Sequence, residues 1–520
     1  QPKKYSIQSS NDTYLSANNN PLKMNYLLGK SNTSRYSLKD VIGDNINVRS
    51  QGDTQLCWDF ATLGVLETNL ALQDYKNSNS VRIYDFSEAH MAYATTRNAF
   101  FNNQINEKGL NRRIGASGNF YTAQNYLTNG SGAVAESELS FENIGNSIDI
   151  SNIQNNNVLT TLYDTVEFSY SSENQKADLI ENMKTHITEY GGIYAGIYGA
   201  NVFDSKYYNN KTGALYVDNT SVGMDHAVVI IGWDDEYSKN NFNEGHRPQN
   251  DGAWIIKNSW GEKITATLEE AKKSNYEYNK QTYNNQGIYN YQDLPNEPFI
   301  QEYINNGYTP NEDNTVFSYT IGNNGYMYIS YEDVNIYNSL WAIKKAKNEK
   351  DYGNIYQNDL LGFSQAIQLQ YDSENVYIAN VFKREKASND NLNKISLYTL
   401  QNWKECKVYV NPNGSDKSIE NLQEVKIKDG NVNENNIDID VGYHTIEFAE
   451  PIEITGDSFA VVLKLNAEGD TILPIEAKTT GGWEYAIVNA NESFFTMDDG
   501  FDKNEWQDIA LLENENLAYK

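Results

Sequence analysis

Cysteine is scarce in this 520-residue chain, which contains only Cys57 and Cys406. We expect the two in different domains, so no structural disulfide is predicted and the cysteine count leaves the redox compartment open. Neither HExxH nor CxxC occurs, and His186, His246 and His444 have no companions at metal-ligand spacing. The sequence therefore predicts no zinc site.

Long apolar runs are also absent, since no segment approaches the roughly 18 apolar residues of a membrane-spanning helix. The chain begins at Gln1 with neither an initiator methionine nor an apolar signal region, so we expect a processed or trimmed product. Basic residues are few, 41 against 70 acidic ones, which gives a formal net charge of −29. That charge argues against nucleic acid or an anionic lipid surface as a partner.

The length predicts more than one folded unit, because single hydrophobic cores stop growing at about 250–300 residues. Hydrophobic residues make up 39% and aromatic residues 12%, which indicates a globular chain and not a disordered one. Residues 1–35 are polar and rich in Asn and Ser, which is typical of an extended arm, a surface wrap or the remnant of a propeptide. We place the two domains at 36–348 and 349–520, with the boundary in the charged segment KKAKNEKDYGN.

The first domain has an α+β pattern. A long helix that opens at Cys57 carries apolar residues at helical spacing and is predicted to bury one face, and ENQKADLIENMKTHITEYG is a second, amphipathic helix. Strand-like runs follow, among them IYAGIYG, HAVVIIGW and GAWIIKNSW. After the boundary, short segments such as VYIANVF, KISLYTL and FAVVLKL alternate apolar and polar residues, which predicts an all-β sandwich.

Three segments combine residues that activate a thiol. Cys57 begins a helix and is followed by Trp58, and Gln51 stands six residues before it. A helix N-terminus and a histidine can both lower the pKa of the Cys57 thiol. The other two segments are Asp225-His226-Ala227, at the start of an apolar strand, and the later Asn258-Ser259-Trp260-Gly261. In this order and spacing the residues resemble the papain family of cysteine proteases.

The resemblance implies a two-lobed catalytic domain, with a helical lobe and a β-barrel-like lobe, and it implies a role for each residue. Cys57 is the expected nucleophile, and His226 is expected to form an ion pair with it and then to protonate the departing amine. Asn258 would fix the imidazole ring. Gln51 would supply a side-chain N–H that forms the oxyanion hole together with the backbone N–H of Cys57.

The resemblance also suggests substrate-binding residues. A glycine-rich turn of the family pairs with extended peptides, and Gly118 and Asn119 stand in the corresponding place, where an ordinary helix-entry turn is the alternative. Asp225 is expected on the surface near the substrate, and its alternative is a solvated loop carboxylate. Trp260 would shield the bond between the histidine and the asparagine from water.

The sequence departs from the family pattern at several positions. Thr54, Gln55 and Leu56 precede the nucleophile in place of the usual residues, and Asp59 stands where a small residue is usual. Cysteines that form disulfides in the family are missing at Thr54 and Ala116. These changes put the subsite preference in doubt and leave the catalytic residues intact.

An insertion, WDDEYSKNNFNEGHRPQNDGAW, and the C-terminal segments resemble clostridial surface proteases, in which a lectin-like domain follows the peptidase. The resemblance implies a secreted protein or one of the bacterial cell surface or cell wall. It also allows a cell-wall or glycan ligand for the lectin-like domain, where Trp483 and Trp506 can stack on sugars or belong to the core. Turns such as Asp498-Asp499-Gly500 can hold calcium as a structural ion, but no EF-hand spacing defines its ligands. The chemistry itself needs no cofactor.

We therefore expect a cysteine endopeptidase that acts on extracellular or cell-surface proteins. The first alternative is a catalytically silent adhesin that works through the lectin-like domain, since fold does not fix function. A second alternative is an acyl transferase with the same nucleophile. His90 is interpreted as a packing or surface residue, and Cys406 as a buried residue of a strand.

Overall fold

The computed structural model describes residues 5–9, 33–199, 206–369, 375–385, 390–428, 437–466 and 470–512. Most of the predicted N-terminal arm, 1–35, therefore lies outside the described residues. Within it, residues Tyr5–Ser9 form a strand.

Helices are concentrated in the first part of the described chain. The α-helices are α1 (Leu38–Ile42), α2 (Cys57–Ser78), α3 (Glu88–Ala94), α4 (Phe120–Thr128), α5 (Ser151–Gln154), α6 (Glu173–Glu189), α7 (Leu268–Tyr278), α8 (Lys280–Asn285), α9 (Glu297–Asn305) and α10 (Asp498–Asp502). Among the described residues, no helix is both long enough and apolar enough to span a bilayer.

Strands dominate the second part. Up to residue 347 they are β1 (Tyr5–Ser9), β2 (Arg35–Ser37), β3 (Thr161–Phe168), β4 (Ile193–Ile197), β5 (Tyr208–Asn209), β6 (Ala214–Leu215), β7 (His226–Asp234), β8 (Ala253–Lys257), β9 (Lys263–Thr267), β10 (Thr309–Pro310), β11 (Val316–Thr320), β12 (Tyr326–Ser330) and β13 (Leu340–Lys347). Thereafter they are β14 (Gln365–Leu369), β15 (Asn375–Lys383), β16 (Asp390–Thr399), β17 (Trp403–Asn411), β18 (Gln423–Glu424), β19 (Ile437–Ile439), β20 (Gly442–Ile454), β21 (Ser458–Asn466), β22 (Thr471–Ile475), β23 (Ser493–Met497) and β24 (Gln507–Asp508).

Helix α2 lies in the middle of the first part. The prediction that it buries one face was too narrow, because every residue from Trp58 to Leu72 is buried. The main sheet has eleven strands in the order β16, β20, β3, β13, β4, β7, β8, β12, β6, β5, with β2 also on β7. The helix packs against β7 and β13 of this sheet and against α1, α3 and α4. From Trp58 to Leu72 the helix therefore has no solvent face, and only its last turn is exposed.

The main sheet brings two predicted site residues to one end. Strand β7 pairs antiparallel with β8, and Val229 lies opposite Lys257 in that register. His226 is the first residue of β7, and Asn258 directly follows the last residue of β8. Because antiparallel neighbours start and end at the same edge, the two side chains meet there.

The segment between Trp260 and β12 contains helices and strands of its own. It holds α7, α8 and α9, together with a small sheet in which β11 pairs with β9 and β10. Its own apolar cluster includes Leu268, Tyr276, Phe299 and Phe317.

The C-terminal part is β-rich, as predicted. One layer is a seven-stranded sheet in the order β18, β17, β21, β15, β23, β24, with β19 also on β17. Its core packs residues such as Val408, Phe459 and Leu465 against Ile367 of β14 and Phe448 of β20. The N-terminal strand β1 pairs with β14 and so belongs to this part.

The two parts share one sheet, which the sequence did not indicate. Strands β16 and β20 of the C-terminal part continue the main sheet through His444 of β20, which pairs with Asp164 of β3. The predicted boundary at 348/349 remains a prediction, because this continuous sheet does not divide the chain.

Candidate active site

The thiol of Cys57 lies at the N-terminus of α2 and is half-buried. Burial raises the pKa of this thiol, and backbone N–H groups of Ala227 and Trp58 that point at the sulfur partly offset the effect. The contact with Ala227 places the sulfur beside the first residues of β7. The nucleophile helix and the histidine strand therefore meet at Cys57.

The imidazole of His226 is fixed on two sides. Its Nε2 lies 2.7 Å from Oδ1 of Asn258, and its ring stacks on Trp260 with 4.5 Å between the ring centroids. Asn258 is itself held, since its Oδ1 also accepts from the backbone N–H of Ser259 at 2.8 Å and its Nδ2 lies 3.2 Å from the sulfur of Met327. An indole beside this buried hydrogen bond keeps water from competing for it.

Burial lowers the pKa of His226 to about 4, while the bond to Asn258 and the charge of Asp225 act in the opposite direction. Burial thus disfavours both the thiolate of Cys57 and the imidazolium of His226.

Gln51 is anchored by the residue that follows Asn258. Its Oε1 accepts from the hydroxyl of Ser259 at 2.7 Å, and its backbone N–H donates to the carbonyl of Ser259 at 2.8 Å. Its Nε2 donates to the carbonyl of Thr54 at 2.8 Å. An amide nitrogen carries two hydrogens, so one donor of Gln51 remains for a substrate oxygen.

The predicted substrate turn lies on the N-terminus of α2. Asn119 is the N-cap of α4, and its Oδ1 accepts from the backbone N–H of Thr122 at 3.2 Å. Its side chain therefore has the helix-entry role that the alternative prediction described. Gly118 is exposed, and a Cβ added to it would lie 2.7 Å from the ring of Trp58. Only glycine allows the turn to lie this close to the indole.

Asp225 is exposed and its Oδ1 accepts from the backbone N–H of Gly199 at 2.6 Å. Its charge acts on both the Cys57 thiol and the His226 imidazole. The loop that continues from Gly199 is not described at residues 200–205.

Sequence reasoning missed a charged network behind the site. Arg49 makes two hydrogen bonds of 2.6 Å to the carboxylate of Glu67 in α2, and it lies 3.0 Å from a carboxylate oxygen of Glu88 in α3. Lys257, the last residue of β8, is buried close by, and burial lowers its pKa to about 8. The sequence signal that could have indicated this network is a single charged residue within an apolar segment, such as the lysine in AWIIKNSW.

The other histidines and the second cysteine lie outside the site. His90 is buried with its Nδ1 2.8 Å from the hydroxyl of Tyr126, and His444 lies against the carbonyl of Asp440. Cys406 is fully buried, which raises the pKa of its thiol to about 12. The described residues contain no group of three or more acidic, histidine or cysteine side chains arranged for a metal ion.

A cavity of about 680 Å³ lies away from Cys57, between α4 and the C-terminal part. Its lining includes Tyr121, Phe363, Tyr398 and Tyr443. Neither Cys57 nor His226 lines it.

The comparisons with known proteins agree with this arrangement. Residues 42–267 match the model of the papain family cysteine proteases, and residues 355–520 match the model of the lectin-like domain. The chain therefore contains a papain-like cysteine peptidase domain, which a lectin-like domain follows.

Two solved structures resemble it over most of its length. A clostridial cysteine protease, Cwp84, after propeptide cleavage, is 20% identical with a TM-score of 0.65 and covers 92% of this chain and 96% of its own. The cysteine protease and lectin-like domains of Cwp84, a surface layer associated protein of Clostridium difficile, are 21% identical with a TM-score of 0.63, covering 93% and 85%. No curated protein matches the chain.

The family and fold predictions are thus confirmed, including the lectin-like domain. The roles of individual site residues remain predictions.

Proposed function

We propose that the chain is an endopeptidase that hydrolyses peptide bonds through a thioester on Cys57. The observation that carries the proposal is the buried contact between Nε2 of His226 and Oδ1 of Asn258, at 2.7 Å, beside the Cys57 helix N-terminus. This arrangement leaves the second ring nitrogen available for the thiol.

Proton transfer from Cys57 to His226 creates two opposite charges side by side. Their attraction acts against the burial that disfavours each charge alone. The α2 N-terminus further favours the thiolate, and the bond to Asn258 favours the imidazolium.

The thiolate then attacks the carbonyl carbon of the substrate, and the carbonyl electron pair moves to oxygen. Nε2 of Gln51 and the backbone N–H of Cys57 donate to that oxygen. When the C–N bond breaks, the imidazolium of His226 gives its proton to the amine. Water, deprotonated by the imidazole, next attacks the thioester and releases the acid and the thiol.

The test is cleavage of a denatured protein by the wild-type chain and by Cys57→Ala, with Cys406→Ala as the matched control. We expect Cys57→Ala to lose at least about 10³-fold in rate, and Cys406→Ala to keep the wild-type rate. A thiol-directed epoxide should inhibit both active proteins. Absence of cleavage by the wild-type chain, with reductant and calcium present, would favour the adhesin alternative, and transfer of the acyl group to an added amine without hydrolysis would favour the acyl transferase.

We also propose that the substrates are extracellular or cell-surface proteins and that the protein is secreted or attached to the cell surface. Support comes from the likeness to Cwp84, which is described as surface layer associated. Detection of the chain in the surface extract of its source cells, and not in the cell interior, tests this proposal.

For the lectin-like domain we propose a cell-wall or glycan ligand and a structural calcium ion. The aromatic lining of the 680 Å³ cavity supports a sugar, since sugar rings stack on aromatic faces. Titration of the Cys57→Ala protein with cell-wall oligosaccharides tests the first proposal. Thermal unfolding in calcium and in a chelator tests the second, with a higher Tm in calcium expected.

A further inference from the structure

The turn formed by Gly115–Asn119 lies on the start of α2 and is held there entirely by non-covalent contacts. The backbone N–H of Gln55 donates to the carbonyl of Gly115 at 2.9 Å, and the indole N–H of Trp58 donates to the carbonyl of Ala116 at 3.2 Å. The side-chain Oε1 of Gln55 accepts from the backbone N–H of Ser117 at 3.3 Å. Three successive residues of the turn are thereby fixed to the segment that carries the nucleophile.

Arg112 adds further contacts between the turn and α2. Its guanidinium lies over the ring of Trp58, 4.6 Å from the centroid, and donates to the carbonyl of Ser117 at 3.1 Å. A second guanidinium nitrogen donates to the hydroxyl of Thr95 at 2.7 Å. One planar group therefore connects the turn, the nucleophile helix and the end of α3, as the fork of an arginine permits and a lysine does not.

The space around Gly118 shows how closely the turn follows this support. A Cβ at Gly118 would lie 2.7 Å from Trp58 and 2.8 Å from the guanidinium of Arg112. The turn therefore contacts the Trp58 ring and the Arg112 guanidinium directly, and these two groups determine its distance from α2. A displaced Arg112 would let the exposed backbone of Gly118 shift.

Burying the charged guanidinium of Arg112 is energetically unfavourable. Burial lowers the pKa of its guanidinium to about 10, and Asp59 on α2, itself fully buried, acts on that pKa in the opposite direction. Asp59 stands where the family has a small residue, so the buried arginine and the unusual aspartate occur together.

We propose that Arg112 and Gln55 are positioning residues that hold the Gly115–Asn119 turn at the distance from α2 at which its backbone binds an extended peptide. The proposal rests on the proposed function, because it takes this turn to be the substrate-binding one. Neither side chain has a contact with Cys57 or His226 among the hydrogen bonds and ring contacts of the described residues. Their loss should therefore weaken binding of the substrate residues that lie along the turn and leave bond cleavage itself intact.

The first test compares Arg112→Lys and Gln55→Ala with Arg113→Ala. Arg113 is exposed in the same loop, so its replacement changes charge without touching the support. Each protein is assayed with an extended peptide and with a substrate that has a single residue before the scissile bond.

We expect KM for the extended peptide to rise about 10-fold in Arg112→Lys and Gln55→Ala, with kcat within about twofold of wild type. The short substrate and the alkylation rate of Cys57 should be unchanged, as should every value for Arg113→Ala. Equal losses on both substrates, or an unchanged KM for the extended peptide, would overturn the proposal.

A second test replaces the non-covalent support with a cross-link. A Cβ on Gly115 would lie 3.7 Å from the Cβ of Thr54, within the range of about 3.5–4.5 Å that disulfides need. Gly115 has a φ of +76°, which strains any other residue, so Thr54→Cys/Gly115→Cys is made in the wild-type background as the control for that strain and is also added to Arg112→Ala. Formation of the bond is verified by mass after Cys57 has been reactivated. The cross-linked protein should recover the wild-type KM, and the reduced one should not. A cross-linked protein with the KM of Arg112→Ala would contradict the proposal.

Binding without catalysis separates this proposal from the proposed function. In the Cys57→Ala background, Arg112→Lys should raise the Kd of the extended peptide about 10-fold, and Arg113→Ala should leave it unchanged. If the wild-type chain fails to cleave while this difference is found, the proposed function fails and the positioning role remains. If the two Kd values are equal, the positioning role fails regardless of activity.

Discussion

Replacement of Arg49 by methionine should destabilise the protein strongly, because it removes the cation from a buried network. Arg49 holds Glu67 through two hydrogen bonds of 2.6 Å and lies 3.0 Å from Glu88. Both carboxyl side chains are only 2% exposed. Breaking a buried ion pair by removing one partner costs about 3–5 kcal/mol, a large part of the about 5–15 kcal/mol that stabilises a typical domain.

The assay is equilibrium unfolding in urea at pH 7, followed by tryptophan fluorescence. Arg35→Met is the matched control, because Arg35 and Asp40 form an ion pair with side chains 51% and 61% exposed, and such pairs contribute about 0–1 kcal/mol. Arg49→Met/Glu67→Gln should recover part of the loss, since it removes one of the uncompensated charges. A loss below about 1 kcal/mol at pH 7, equal to that of Arg35→Met, would refute this account of the network.

Two further predictions concern Asn258 and Glu167. Asn258→Ala should lower kcat/KM for a fluorogenic peptide by about 10–100-fold, since it removes a hydrogen bond to the imidazolium, and a loss below about threefold would contradict the role of Asn258. Glu167 lies between the domains, where it accepts from the hydroxyl of Tyr398 at 2.6 Å and from that of Tyr121 at 3.3 Å, and burial raises its pKa from 4.5 to about 7. The folded protein therefore binds this proton more tightly than the unfolded chain, so the stability it contributes is present below pH 4.5 and falls by about 3 kcal/mol as the pH rises through 7. Glu167→Gln should lack this part of the pH dependence in urea unfolding, and an identical slope in both proteins would show that Glu167 does not titrate as described.

The sequence predicted the protease domain well because its chemistry depends on local patterns. Cys57 at the start of an apolar helix, His226 at the start of an apolar strand and Asn258 at the end of another were recognisable one by one. Antiparallel pairing of β7 with β8 then brings His226 and Asn258 together without further information. The helix α6 and the strands β4, β7 and β8 also lie where periodicity predicted them.

The parts that could not be predicted depend on contacts between distant segments. Arg49 and Glu67 are 18 residues apart, and nothing in either segment indicates that they pair. The side chain of Asn119 caps α4, a role that the turn pattern allowed as an alternative, while substrate binding by the backbone of the turn remains a prediction. The continuation of the main sheet into β20 rests on His444 opposite Asp164, 280 residues away, and such pairings leave no trace in a single sequence.

The same limit applies to the lectin-like domain. Alternation of apolar and polar residues predicted its strands but not their partners, so the pairing of β1 with β14 was unforeseen. Asp351, which contacts Tyr163, Lys347 and Lys394, ties the two domains together at the predicted boundary segment. The charged segment that was predicted as the domain boundary therefore contains an ion-pair centre.

The most direct test of the central claim, that His226 activates Cys57, is the rate of Cys57 alkylation by iodoacetamide as a function of pH. The rate should be measured by mass spectrometry in the wild-type protein and in His226→Ala, with Cys406 in the same protein as the internal control. We predict that Cys57 of the wild type reacts well below the ordinary thiol pKa of about 8.5, whereas Cys57 of His226→Ala reacts only above it and Cys406 stays unreacted in the folded protein. A single titration of Cys57 at or above the ordinary pKa, identical in both proteins, would contradict the claim.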